Sequence, residues 1–191
     1  MYFLKDITRE VRPLQVAFRK QKRTVRLMAV SLFSCLAALL QAAGGFLPVL
    51  GYAVSPLATA PVFICAVLSR PAGLAAYVLT CLLLFVIQPA ELMIFPFTTG
   101  LLAVALGLAV HFFRKRLAVA AAGAFGLTCG IAGLLYIFRF PVLGPFVSVN
   151  FSVAASGGIF LFCFCYSWIW LEAGLLLVKR LRGGGSFLPG N

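Results

Sequence analysis

Asp6, Glu10, Glu91 and Glu172 are the acidic residues in a chain of 191, and His111 is its single histidine. Acid–base, metal-dependent and nucleophilic chemistry use these residue types in groups, and the spacing here does not group them. Asp6 and Glu10 fall in a basic amino-terminal segment. Glu91, Glu172 and His111 fall in different apolar runs or in the breaks between them. Paired carboxylates, a His–carboxylate metal set and the GxxxxGK[ST] phosphate loop are all missing from the sequence. The expectation is a chain with no metal, no cofactor and no enzymatic activity, and in particular no ATP hydrolysis.

The six cysteines, Cys35, Cys65, Cys81, Cys129, Cys163 and Cys165, all lie within apolar runs. Cys163 and Cys165 are two residues apart, which on a helix turns them to different faces, so neither a redox pair nor a metal site is indicated. Small polarisable core residues are the simpler reading. The stretch Ala154-Ala155-Ser156-Gly157-Gly158-Ile159-Phe160 resembles the GxSG serine helix of rhomboid proteases. That reading is rejected because Ala154 replaces the first glycine and no histidine follows Ser156 to act as its base. Small residues permitting a close helix contact account for it instead.

The elements that must position these residues follow from composition. Apolar residues make up 63% of the chain and the mean hydropathy is +1.08, more apolar surface than a water-soluble domain can bury. At about 20 residues per crossing, this composition supplies about six helical spans. The runs are continuous rather than alternating, which excludes a membrane barrel. The spans read as 27–50, 52–69, 72–88, 92–113, 117–138 and 151–178, broken at Pro48/Gly51, Arg70-Pro71, Pro89 to Glu91, Arg114 to Arg116, and Arg139 through Asn150. Only Pro48 and Gly51 mark the first break, so a re-entrant segment there is the alternative to two full helices. The expected class is an all-α membrane protein, a six-helix bundle with a cytoplasmic segment 1–26, a transmembrane domain 27–178 and a flexible cytoplasmic tail 179–191.

A net charge of +12 would suggest nucleic acid in a soluble protein. Here its placement suggests membrane orientation instead. With both termini in the cytoplasm, fifteen of the sixteen basic residues lie inside and only Arg139 lies outside. The segment 1–26 is too long and too charged for a signal peptide, and nothing in the Gly-rich end reads as an anchor. Within it, Leu4, Ile7, Val11, Leu14 and Phe18 recur at three- and four-residue spacing, as in a helix lying on an anionic lipid surface, kinked or split at Pro13. A disordered basic tail is the alternative.

Two further patterns stand out. Ser34, Ala38 and Ala42 form a ridge of small residues at strict four-residue spacing on the first span, with similar pairs at Ala103/Gly107 and Gly126/Gly130. Lipid tails provide no hydrophobic drive for helix association, so such ridges serve close packing, internally or against a partner. On the outer side, Gln41, Gln88, Glu91, Thr98, Thr99, Tyr136, Arg139, Asn150 and Ser152 concentrate polar groups near prolines 89, 96, 141 and 145. They outline a water-filled pocket or, alternatively, ordinary interfacial loops. Glu91 and Arg139 could pair with each other or with the ends of a charged ligand.

The basic amino terminus, the small-residue ridge on the first span, the stretch Phe46-Leu47-Pro48-Val49-Leu50-Gly51, the stretch Ser69-Arg70-Pro71-Ala72-Gly73-Leu74, and Gly100-Leu101-Leu102 before a span ending in Arg114-Lys115-Arg116 together resemble the S-components of energy-coupling factor (ECF) ABC transporters. The resemblance covers roughly residues 27–178, closest to the uncharacterised members. It implies a bundle in the bacterial cytoplasmic membrane that captures a vitamin-like small molecule at its outer face. It further implies docking, through the first span, on an ECF coupling protein bound to two ABC ATPases. Ser34, Ala38 and Ala42 would correspond to the family's docking motif, and 48–55 to a lid over the substrate. The substrate-binding residues expected on this reading are Glu91, Thr98, Tyr136, Arg139, Asn150 and Ser152. A non-transporting membrane scaffold for envelope assembly is the competing expectation.

Overall fold

A computed structural model describes residues 7–46, 50–138 and 153–183, and every regular element in them is helical. In chain order these are α1 (Thr8–Lys20), α2 (Arg23–Phe46), α3 (Leu50–Val54), a 3₁₀ turn (Ser55–Ala58), α4 (Thr59–Leu68), α5 (Arg70–Ile87) and α6 (Pro89–Ile94). A second 3₁₀ turn (Phe95–Phe97), α7 (Thr99–Phe112), α8 (Arg116–Ala132), a π turn (Gly133–Ile137) and α9 (Val153–Gly183) complete the order. Five stretches are long and apolar enough to cross a membrane: Arg23–Phe46, Arg70–Ile87, Pro89–Phe112, Arg116–Ile137 and Gly157–Arg180. A sixth, Ser55–Leu68, is apolar but shorter.

That shorter helix departs from the expected second span, and its packing shows why. At the usual rise per residue, Ser55–Leu68 reaches only about 20 Å, against the roughly 30 Å of a hydrocarbon core. Pro56 and the 3₁₀ turn divide the run that sequence alone joins. From Pro61 to Leu68 every residue of α4 is buried, so this helix is the axis around which the others pack. Gly73 on α5 and Gly107 on α7 both close on Ala66, where an added Cβ would collide with it. Glycine at these two places lets three backbones come together. By contrast α5 shows Leu82, Phe85 and Val86 on its outer face, 59%, 63% and 80% exposed, as a lipid-facing helix does.

The chain folds so that α1, the starts of α2, α5 and α8, and the ends of α4, α7 and α9 share one end of the bundle. This is the basic end. Gln41 of α2, the corner 88–99 and the end of α8 share the other, the far end. At the basic end α1 runs continuously through Pro13, and Ile7, Val11, Leu14 and Phe18 are buried in the common core. The apolar stripe read from the sequence therefore faces this protein's own bundle rather than a lipid surface, and 8–20 is part of the domain rather than an appendage to it. Leu4 lies outside the described residues. Helix α2 begins at Arg23, ahead of the expected first span, and α9 runs to Gly183, beyond the expected last one.

Candidate functional site

Polar side chains meet at both ends. At the far end, Pro89 opens α6 and places Glu91 in its first turn, turned back toward α2. Gln41 Nε2 donates to Glu91 Oε2 at 2.8 Å, and Thr99 Oγ1 donates to Gln41 Oε1 at 2.8 Å. The carboxylate can only accept, which fixes the amide orientation and makes the chain of bonds directional. All three residues are buried, Gln41 at 1% exposure and Glu91 and Thr99 at 8%. Gly44 and Gly45 make room for this corner. A Cβ on Gly44 would sit 3.1 Å from Glu91 Oε1 and 3.2 Å from Ser55 Cβ, and one on Gly45 would collide with the amide of Gln88. Among the described residues no donor reaches Glu91 Oε1 and no basic residue pairs with Glu91; Arg139 lies outside them. The arrangement is a carboxylate with one oxygen committed and one available, fit to accept a hydrogen bond or a positive charge from a small solute.

Of the three expected binding residues that are described, Glu91, Thr98 and Tyr136, Glu91 is in this cluster. Thr98 spends its hydroxyl on the carbonyl of Ile94, 2.8 Å away in its own turn, and its neighbour Thr99 takes the place at the site. Tyr136 is part-buried on the π turn at the end of α8. Arg139, Asn150 and Ser152 lie outside the described residues, as does part of the expected lid 48–55. Gln41 and Thr99 belonged to the wider polar group in the sequence. What singled them out was invisible there, because 50 and 58 residues separate Gln41 from its two partners.

The basic end carries a denser network. Arg116, 1% exposed at the start of α8, donates from Nη1 to both oxygens of Glu172 at 2.6 and 2.7 Å. From Nη2 it reaches both oxygens of Glu10 at 3.1 and 3.2 Å. Lys179 Nζ lies 3.3 Å from Glu10 Oε1. Two cations and two anions from α1, α8 and α9 thus balance. The sequence reading gave Arg116 only an orienting role. The signal it passed over is the scarcity of acids, since a buried arginine must draw on one of the four.

His111 is likewise structural. Its Nε2 lies 2.8 Å from the carbonyl oxygen of Ala66, which only accepts, so the proton sits on Nε2 and Nδ1 accepts from Gln15 Nε2 at 3.3 Å. Gln15 also donates to the carbonyl of Val67 at 2.9 Å, so the pair binds α1 and α7 to the end of α4.

The ridge Ser34, Ala38 and Ala42 does not present a docking face in this structure. All three residues are buried within the chain, at 0%, 0% and 2% exposure. Ser34 Oγ bonds the carbonyl of Val30 at 2.7 Å and lies 3.3 Å from that of Ala76 on α5, while Thr80 Oγ1 approaches the carbonyl of Ser34 at 3.5 Å. Ser34 lies in the α2–α5 seam, and Ala38 and Ala42 are buried in the common core. Gly107 and Gly130 are similarly filled, by Ala66 and by the backbone of Phe97. Conversely, a Cβ on Gly157 or Gly158 would meet nothing within 4 Å, so the close helix contact expected around Ser156 is not made there by the described residues. No family model, curated protein or solved structure matches the chain.

Proposed function

We propose that this chain is the solute-binding membrane component of an importer, one that captures a small solute at its far end and relies on partner ATPases for energy. The observation that carries the reading is the Gln41–Glu91–Thr99 cluster, where helices α2, α6 and α7 converge on a buried carboxylate with one uncommitted oxygen. Polar side chains gathered at one place are what a transporter needs and a scaffold does not. The chemistry favours a solute with an ammonium or another strong hydrogen-bond donor. In this proposal the basic end faces the cytoplasm, following the distribution of lysine and arginine. The chain then crosses six times, α3, the 3₁₀ turn and α4 together forming a shortened second crossing with both termini inside. Burial of the Ser34–Ala42 ridge moves any partner contact to another surface.

The test is recovery of the tagged full-length protein from its own membrane, with identification of what accompanies it and a thermal-shift screen of amines, amino acids and vitamin-like compounds. The reading expects nucleotide-binding partners and at least one solute whose stabilisation is lost in Glu91→Gln. Recovery without any nucleotide-binding partner, together with a screen in which nothing distinguishes Glu91→Gln from the parent, would favour the scaffold. Reporter fusions at 70 and 115 should read cytoplasmic and those near 90 and 145 external.

A further inference from the structure

A cleft of about 260 Å³ opens at the basic end between the first turns of α2 and α5. Arg23 and Arg26 stand on its α2 side, Pro71 and Ala72 begin its α5 side, and Ser69 lies at the junction before α5. Below the arginines the walls become apolar, with Leu27 and Val30 facing the cleft from α2 and Ala75 from α5, while Phe18 contributes from the end of α1. Leu27 is 56% exposed, so this apolar side is continuous with the outer, lipid-facing surface of the bundle.

Among the described residues no anion compensates the charge of the cleft. Arg26 Nε is enclosed and without a hydrogen-bond partner, and no ion pair among the described residues includes Arg23 or Arg26. The three described carboxylates are committed elsewhere, and Asp6 lies outside the described residues. Arg116 holds Glu10 and Glu172, and Glu91 is at the far end. Ser69 precedes α5 without a side-chain cap, so the positive end of that helix adds to the same field.

We propose that this cleft binds one anionic diacyl phospholipid, its phosphate between Arg23, Arg26 and the start of α5, its acyl chains running along Leu27 and Ala75. Charge complementarity selects the phosphate. The apolar wall, open toward lipid, selects a lipid over a free anion. The volume suits a phosphate, a glycerol and the first part of the chains, which leave the cleft past the exposed Leu27. This site is independent of the solute reading, since it lies at the other end of the bundle.

Native mass spectrometry of the purified full-length protein, released from nanodiscs of equimolar phosphatidylglycerol and phosphatidylcholine, tests it. One phosphatidylglycerol should be retained in preference to phosphatidylcholine. Removing both arginines in Arg23→Ala/Arg26→Ala should weaken that retention by about 30-fold, at the usual contribution of a basic residue near a membrane surface. Lys20→Ala/Lys22→Ala removes the same charge outside the cleft and should change it little. Ala75→Trp fills the apolar wall without touching charge and should also expel the lipid, which keeps the test decisive if the arginine variant fails to fold. Equal loss in the lysine and arginine variants would overturn the proposal in favour of diffuse surface attraction. Displacement of the lipid by millimolar inorganic phosphate, with retention unaffected by Ala75→Trp, would overturn it in favour of a free-anion site.

Discussion

The two ends of the bundle each hold carboxylates among helices that are distant in sequence, part-buried at the basic end and buried at the far end, and they complete them differently. At the basic end Arg116 gives each of two carboxylates a pair of hydrogen bonds, and Lys179 adds a further cation. At the far end, among the described residues, Glu91 has one amide donor and no cation. A buried charge is tolerable when it is paired and fully hydrogen-bonded, and it is costly otherwise. The paired network at the basic end joins α1, α8 and α9. The one at the far end leaves Glu91 Oε1 without a donor among the described residues, and the proposed solute reading rests on that feature.

The comparison is broken most severely at Arg116. Arg116→Leu leaves Glu10 and Glu172 facing each other without their shared cation, and should cost about 3–5 kcal/mol, seen as loss of folded, monodisperse protein in detergent. Arg116→Lys should recover only part of this, because an ammonium cannot reproduce the two-sided fork. Glu10→Ala cuts the link to α1 alone, with an expected cost of about 1.5–3 kcal/mol. Limited proteolysis should then cut within 8–20 while α2–α9 stay intact. If α1 remains protected, the burial of Ile7, Val11, Leu14 and Phe18 outweighs the ion pair.

Changes at the far end are expected to be smaller. Gln41→Leu strands Thr99 and Glu91 together, for about 1–3 kcal/mol measured by thermal unfolding. The smallest effect belongs to Glu91→Gln, which keeps shape and an acceptor for Gln41 and should shift stability by under about 1 kcal/mol. A large destabilisation by Glu91→Gln would mean that the carboxylate charge itself is structural, and the two ends would no longer differ in kind.

Sequence by itself determined the class and most helix positions. Arg70 to Ile87 and Arg116 to Ile137 agree with the expected third and fifth spans to within a few residues, because charge and proline mark their ends and apolar runs of spanning length have one stable form in a bilayer. It also determined that α2 carries a close-packing seam, since Ser34, Ala38 and Ala42 repeat every four residues. Tertiary structure alone decided what meets Ser34 in that seam, namely α5. It decided as well that α4 is the buried axis while α5 faces outward, for lipid and protein interior are equally apolar and a run of Val, Ile, Phe and Leu does not distinguish them. The same holds for the polar clusters. Glu10 and Arg116 are 106 residues apart and Gln41 and Glu91 are 50 apart, and no local pattern joins residues whose meeting depends on how whole helices cross.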